Sequence, residues 1–132
     1  MAEVEDEIVA EMAELEDSIA RYQYLVQQGQ ALQAAAQGIR TEEHAVPGCQ
    51  SQVWIRTSVT DGRVHIEADS DAAITRGMIA LLIRVLDGRS PRDVAGAELA
   101  FLDRTGLRRQ LSPSRANGLA AMVQALRRSP EA

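Results

Sequence analysis

"QVWIRTSVTDGRVHIEA", residues Gln52–Ala68, decides the fold. Val53, Ile55, Thr57 and Val59 alternate with Gln52, Trp54, Arg56 and Ser58. Val64, Ile66 and Ala68 alternate with Arg63, His65 and Glu67. A period of two is the mark of a half-buried strand. Between the runs stands Asp61-Gly62, a pair suited to the two-residue hairpin turn, whose central residues both need positive φ. A hairpin closed there sets Val59 against Val64, Thr57 against Ile66 and Ile55 against Ala68. Arg56 then meets Glu67, and Ser58 meets His65, on the other face. A slip of one residue would turn every apolar side chain to the polar face, so the register is well specified.

After the hairpin, Asp69-Ser70-Asp71 reads as a helix start, with Asp69 or Ser70 as N-cap and carboxylates at the positive end of the dipole. Ile74, Met78, Leu81, Leu82, Val85 and Leu86, widened by Ile79 and Ile83, predict the central core helix. Asp87-Gly88 ends it. Further short helices are predicted from Ser90-Pro91 and over Leu99 to Thr105, and a last one from Ser112-Pro113 with a stripe of Leu119, Met122, Val123 and Leu126. Before the hairpin, Ile8, Met12, Leu15, Ile19, Tyr22 and Val26 step by three and four, giving one apolar stripe over Met1 to about Gly29. That stripe belongs to one helix, or to two with a break where Asp17 or Ser18 caps the second. A connecting segment follows, with room for a short strand around His44–Val46. Helix, hairpin, then helices predicts a single α+β domain over residues 1–132, a small antiparallel sheet with one face packed on helices.

Composition removes several chemistries. All 14 basic residues are arginine, so neither a pyridoxal-phosphate Schiff base nor a P-loop lysine is available. The single cysteine, Cys49, cannot form an internal disulfide, a dithiol redox pair or the usual cysteine set of an iron-sulfur cluster. Eight of the 19 acids lie in Met1–Asp17, so the other 115 residues, with 11 acids and 14 arginines, balance near +3. No concentrated basic stripe appears, and Tyr22, Tyr24, Trp54 and Phe101 are too scattered for a stacking platform, so nucleic acid is not an expected partner. No apolar run reaches bilayer length. The acidic start MAEVEDEIV lacks the charge and apolar stretch of a secretory signal, and a cytoplasmic setting is expected.

Cys49 is the candidate reactive group. Free cysteine is ordinarily a small buried apolar residue. Here it follows Pro47-Gly48, where the backbone turns, and precedes the polar Gln50-Ser51-Gln52, a context for a presented thiol. A cysteine-dependent hydrolase would need a histidine; His44 and His65 are the candidates, and no motif supports either. A metal site from Cys49, a histidine and Asp69 or Asp71 lacks ligand spacing, so none is expected. Carrying sulfur suits a lone thiol. A thiolate attacks the outer sulfur of a donor persulfide, and a second cysteine nearby would expel that sulfur as sulfide.

"GCQSQVWI" (Gly48–Ile55), "ADSDAAITRGMIALL" (Ala68–Leu82) and "LSPSRANGLAAMV" (Leu111–Val123) resemble the SufE family, including its CsdE branch. A weaker likeness runs through "YQYLVQQGQAL" (Tyr22–Leu32). The resemblance implies a fold shared with the IscU scaffold, with about three antiparallel strands and helices mainly on one side. It implies that Cys49 accepts persulfide sulfur from a SufS- or CsdA-like cysteine desulfurase, stimulates that enzyme, and passes sulfur to a SufBCD-like iron-sulfur scaffold complex. Pyridoxal phosphate is then the partner's cofactor, and this chain carries none. Gly48 is implied to shape the cysteine turn, and Gln52 and Asp71 to support it. Arg115 is implied to lie near the partner surface, as is Trp54, for which plain packing is an equal reading. A non-catalytic IscU-fold adaptor, or a hydrolase or peroxidase using Cys49, are the alternatives.

Overall fold

In the computed structural model, β1 (Val53–Thr60) and β2 (Arg63–Ser70) pair antiparallel in the register the alternation predicts. Val59 lies opposite Val64, Ile55 opposite Ala68, and Arg56 opposite Glu67. Asp61 and Gly62 both have positive φ, 54° and 73°, as the hairpin turn demands. Val53, Ile55, Val64, Ile66 and Ala68 are buried, while Arg56 holds Glu67 through two guanidinium nitrogens. The structure describes residues 1–32, 38–47 and 52–128.

The α+β class is as expected, but among the described residues the sheet has two strands where about three were anticipated. The third survives as a single bridge, Ala45 to Trp54, with the Val46 N–H donating to the Val53 carbonyl at 2.8 Å. A 3-10 turn over Glu42–His44 occupies the preceding residues, and Pro47 has no N–H to carry the ladder on. The outer edge of β2 is covered from within the chain. The Val64 N–H donates to the Arg89 carbonyl at 2.8 Å, the Gly88 N–H to the Val64 carbonyl at 2.7 Å, and the Ile66 N–H to Asp87 Oδ1 at 2.8 Å.

The N-terminal stripe divides into α1 (Ala2–Ala13) and α2 (Ser18–Gln30). Asp17 caps α2, its Oδ1 accepting from the Ala20 N–H at 2.7 Å. The break resets the helical phase, so the stripe does not continue as predicted. Ile8 and Met12 are buried, but Ile19 and Tyr22 are 69% and 52% exposed, and Leu25 and Gly29 face the core instead. α2 lies directly on α3 (Ala73–Leu86), which is buried along most of its length. The two backbones meet at Gly29 and Gly77. A Cβ on Gly77 would lie 2.0 Å from the Leu25 carbonyl oxygen.

The remaining helices are α4 (Pro91–Gly96), capped by Ser90, then α5 (Phe101–Arg104), α6 (Leu107–Gln110) and α7 (Pro113–Arg128). α6 has no counterpart among the predicted elements. One core joins α1, both strands, α3 and α7. Among the described residues no helix is long and apolar enough to cross a membrane.

Arg84 of α3 gathers α1 and α2. It donates to Glu11 at 3.1 Å, to the Tyr24 hydroxyl at 3.3 Å and to Gln28 at 3.2 Å, while Tyr24 donates to Glu11 at 2.8 Å. Burial, and then the hydrogen bond to Glu11, push the Tyr24 phenol up to about 12. The folded state therefore prefers the neutral phenol. This stability is fully present below the ordinary tyrosine value of about 10 and is lost as pH rises through the folded one. In a Tyr22→Phe background, which leaves Tyr24 as the sole tyrosine, phenolate absorbance should rise with a midpoint of about 12. Adding Glu11→Gln should move that midpoint down, and an ordinary midpoint with Glu11 intact would contradict the network.

Candidate functional site

Cys49 and Gly48 lie in the segment 48–51, outside the described residues. The residues on either side of it frame the site. On the entry side, the Ala45–Trp54 bridge and the Val46–Val53 hydrogen bond lay residues 45–47 along β1. On the exit side, Gln52 is bonded through its whole peptide. Its N–H donates to Asp71 Oδ1 at 3.0 Å. Its carbonyl accepts from Ser70 Oγ at 2.7 Å and from the Asp71 N–H at 3.3 Å.

The expectation that Asp69 or Ser70 caps α3 is corrected by the structure. Strand pairing runs through to Ser70, opposite Val53, and the helix starts at Ala73 with Ala72 in the N-cap position and no side-chain cap. The Ser70 hydroxyl is spent on the Gln52 carbonyl, while its oxygen also accepts from the Ala72 N–H at 3.2 Å. Asp71 is committed to the Gln52 N–H.

Asp69 sits opposite Trp54 at the same end of the hairpin and is buried, 8% exposed. Its Oδ2 accepts from Arg40 Nε at 2.8 Å. Its Oδ1 accepts from Arg76 Nε at 3.2 Å and from the Ser70 N–H at 2.8 Å. Arg76 also donates to the Ser70 carbonyl at 2.9 Å. Burial works against the charge of Asp69, but the hydrogen bonds from Arg40 and the Ser70 N–H, with the charges of both arginines, hold its carboxyl below the ordinary aspartate range.

Trp54 is packed. It is 8% exposed, forms a small cluster with Ile39, and has the Arg40 guanidinium 4.8 Å above its ring. Arg115 is exposed on the first turn of α7, its N–H donating to Ser112 Oγ at 3.3 Å. It lines a cavity of about 340 Å³ with Tyr22, Leu25, Ile74 and Leu111, the α3 start that carries Ile74 being three residues from Asp71. A second cavity, of about 390 Å³, opens beside the entry segment, between His44, Val46, Pro47, Ile55 and Arg128. His65 is exposed on the far part of the hairpin opposite Ser58, and His44 ends the 3-10 turn. No group of three or more potential metal ligands is present among the described residues.

Sequence reasoning missed Arg40 and Arg76, and gave Asp69 and Ser70 other duties. The predicted register held the signal. Two further pairs beyond Ile55–Ala68 bring Trp54 to Asp69 and Val53 to Ser70, so both residues belong to the sheet.

Fold and site together define a small α+β domain in which one hairpin end and one helix start brace the chain around a single-cysteine segment. The model of the SufE family, described as an Fe-S metabolism associated domain, matches residues 6–129. An uncharacterised SufE-like protein of Rhizobium etli is 35% identical over 127 residues, covering 92% of this chain and 86% of its own. The solution structure of a hypothetical protein from Thermus thermophilus superposes with a TM-score of 0.75 over 94% of this chain and 90% of that one; at 23% identity it supports the fold alone. The chain belongs to the SufE family.

Proposed function

We propose that this protein is a sulfur carrier whose Cys49 thiol accepts a sulfur atom from the persulfide of a cysteine desulfurase and delivers it to iron-sulfur cluster assembly. The observation that carries the reading is the family match over residues 6–129, which spans Cys49 and all of the framing residues. In the transfer the Cys49 thiolate attacks the outer sulfur of the donor persulfide. A new sulfur–sulfur bond forms, the donor's bond breaks, and the desulfurase cysteine leaves as thiolate. The outer sulfur keeps its proton, so no external oxidant or reductant is needed.

The framing residues take roles in this reading. Gln52, held by Ser70 and Asp71, fixes the exit from the segment. Arg115 and the cavity beside Tyr22 offer a cationic and apolar surface for the desulfurase, whereas Trp54 acts by packing. The partner is of SufS or CsdA type and brings the pyridoxal phosphate, consistent with a chain that has no lysine. The recipient is a SufBCD-like scaffold complex, and the setting is the cytoplasm.

Incubation with a cysteine desulfurase, pyridoxal phosphate and cysteine should add the mass of one sulfur atom to the Cys49 peptide, and nothing in Cys49→Ser. An undiminished gain in Cys49→Ser, or full stimulation of the desulfurase by Cys49→Ala, would overturn the reading.

A further inference from the structure

We infer that Asp69 is a positioning residue for the Cys49 reaction, bracing the chain on both sides of residues 48–51 through Arg40, Arg76 and Ser70. The inference rests on the sulfur-carrier reading above.

The bonds of this one carboxylate run to separate parts of the chain. Oδ2 holds Arg40, which lies before the cysteine segment, and Oδ1 holds Arg76, on α3 after it. The same Oδ1 accepts the N–H of Ser70, whose hydroxyl holds the Gln52 carbonyl at the segment's exit. On the entry side Arg40 lies over Trp54, and Trp54 is the bridge partner of Ala45. Asp69 therefore reaches the entry through Arg40 and Trp54, and the exit through Ser70. Two arms meet at one buried group.

A neighbouring ion pair shows what a purely local contact looks like. Arg56 and Glu67 lie on the same face, two residues along each strand, and are joined by short hydrogen bonds. Their side chains are each 37% exposed, against 12% for that of Asp69. Those hydrogen bonds tie one strand to the other. Asp69 links Arg40, 29 residues earlier, to the end of β2 and the first turn of α3, and both of its oxygens are occupied. Asparagine there would keep the volume but turn an amide donor toward a guanidinium donor, which removes one arm without opening a cavity.

A thiol that must meet a donor persulfide in line depends on the placement of its backbone. Loosening the brace should therefore slow sulfur transfer while leaving desulfurase docking intact. The test uses the full chain with Asp69→Asn, Arg40→Gln and the double variant, with Arg56→Gln as control. Three quantities are read: the rate of sulfur loading on Cys49 at saturating carrier, the carrier concentration giving half that rate, and the emission of Trp54, the sole tryptophan.

Each single variant should lower the saturating rate by about ten-fold, with the half-saturating concentration within about two-fold of wild type. Trp54 emission should shift to the red as Arg40 leaves the ring. The double variant should be no slower than the slower single one, because both changes cut the same arm. Arg56→Gln should load like wild type. Arg40 is half exposed, so Arg40→Gln carries the test if Asp69→Asn does not fold. Wild-type loading rates in the single variants, or losses that multiply in the double, overturn this inference alone. A wild-type protein that takes up no sulfur overturns both this and the sulfur-carrier reading.

Discussion

Replacing Gly77 by alanine is expected to lower the melting temperature by on the order of 10 °C. On an exposed helix the same change would stabilise the chain by about 1 kcal/mol, because alanine loses less backbone freedom. Here the sign reverses. The added Cβ would fall 2.0 Å from the Leu25 carbonyl oxygen and 2.6 Å from its carbon, both backbone atoms of α2. No rotamer change can relieve a clash with backbone, so α2 must lift from α3. The reciprocal contact is also tight, since a Cβ on Gly29 would come 2.9 Å from the Gly77 nitrogen. Overpacking of this kind costs about 3 kcal/mol or more. Gly96 is the matched control, with nothing within 4 Å of where its Cβ would stand and no positive φ. Gly96→Ala should be neutral or slightly stabilising. Equal melting temperatures for Gly77→Ala and wild type would show that the two helices are not packed this closely.

Phe101→Ala should cost about 3–5 kcal/mol in a denaturant titration, the usual loss for an aromatic side chain removed from a core. Phe101 is fully buried and is the chain's only phenylalanine. It opens α5, a helix of 4 residues with no side-chain cap, which is too short to persist on its own. The surrounding polar contacts depend on the docked ring. The Phe101 N–H donates to Glu5 Oε2 at 2.9 Å, and its carbonyl accepts from the Thr105 hydroxyl at 2.8 Å. Arg104 reaches Asp6 at 2.7 Å in the same contact between α1 and α5. Neighbouring short elements cannot easily close on the space left behind, which favours the upper part of the range. A loss below about 1 kcal/mol would mean that α1 and α5 are held by those polar contacts and not by the ring.

The hairpin is legible in the sequence because two independent signals agree, an alternation that fixes the faces and an Asp-Gly pair that fixes the turn. Its register is correct at every predicted pair. The N-terminal stripe is legible in composition but not in phase. Four residues between Ala13 and Ser18 suffice to rotate the second helix, which turns Ile19 and Tyr22 outward. Glycine at 77 reads as a weak point in a good helix, and nothing local reveals that another helix sits on it. The Asp69-Ser70 misreading has a related cause. Both residues are good caps, and local preference gives way to two more rungs of strand pairing. Arg40 lies 29 residues from Asp69, so no spacing rule joins them. Gln52 and Asp71 stand out through the family resemblance, and the structure bonds them to each other. Cys49 and Gly48 fall outside the described residues.

The turn Asp87–Arg89 has a consequence for how the protein meets copies of itself. An open strand edge is a template on which a second molecule can grow a shared sheet, and many proteins guard such edges with lysine or proline. This chain has no lysine, and its β2 edge contains no proline. It guards the edge with the exit of its own core helix, whose backbone and Asp87 carboxylate occupy the outward donors of Val64 and Ile66. Protection from self-templating is thus coupled to the integrity of α3, the element that also carries Gly77 and Arg76.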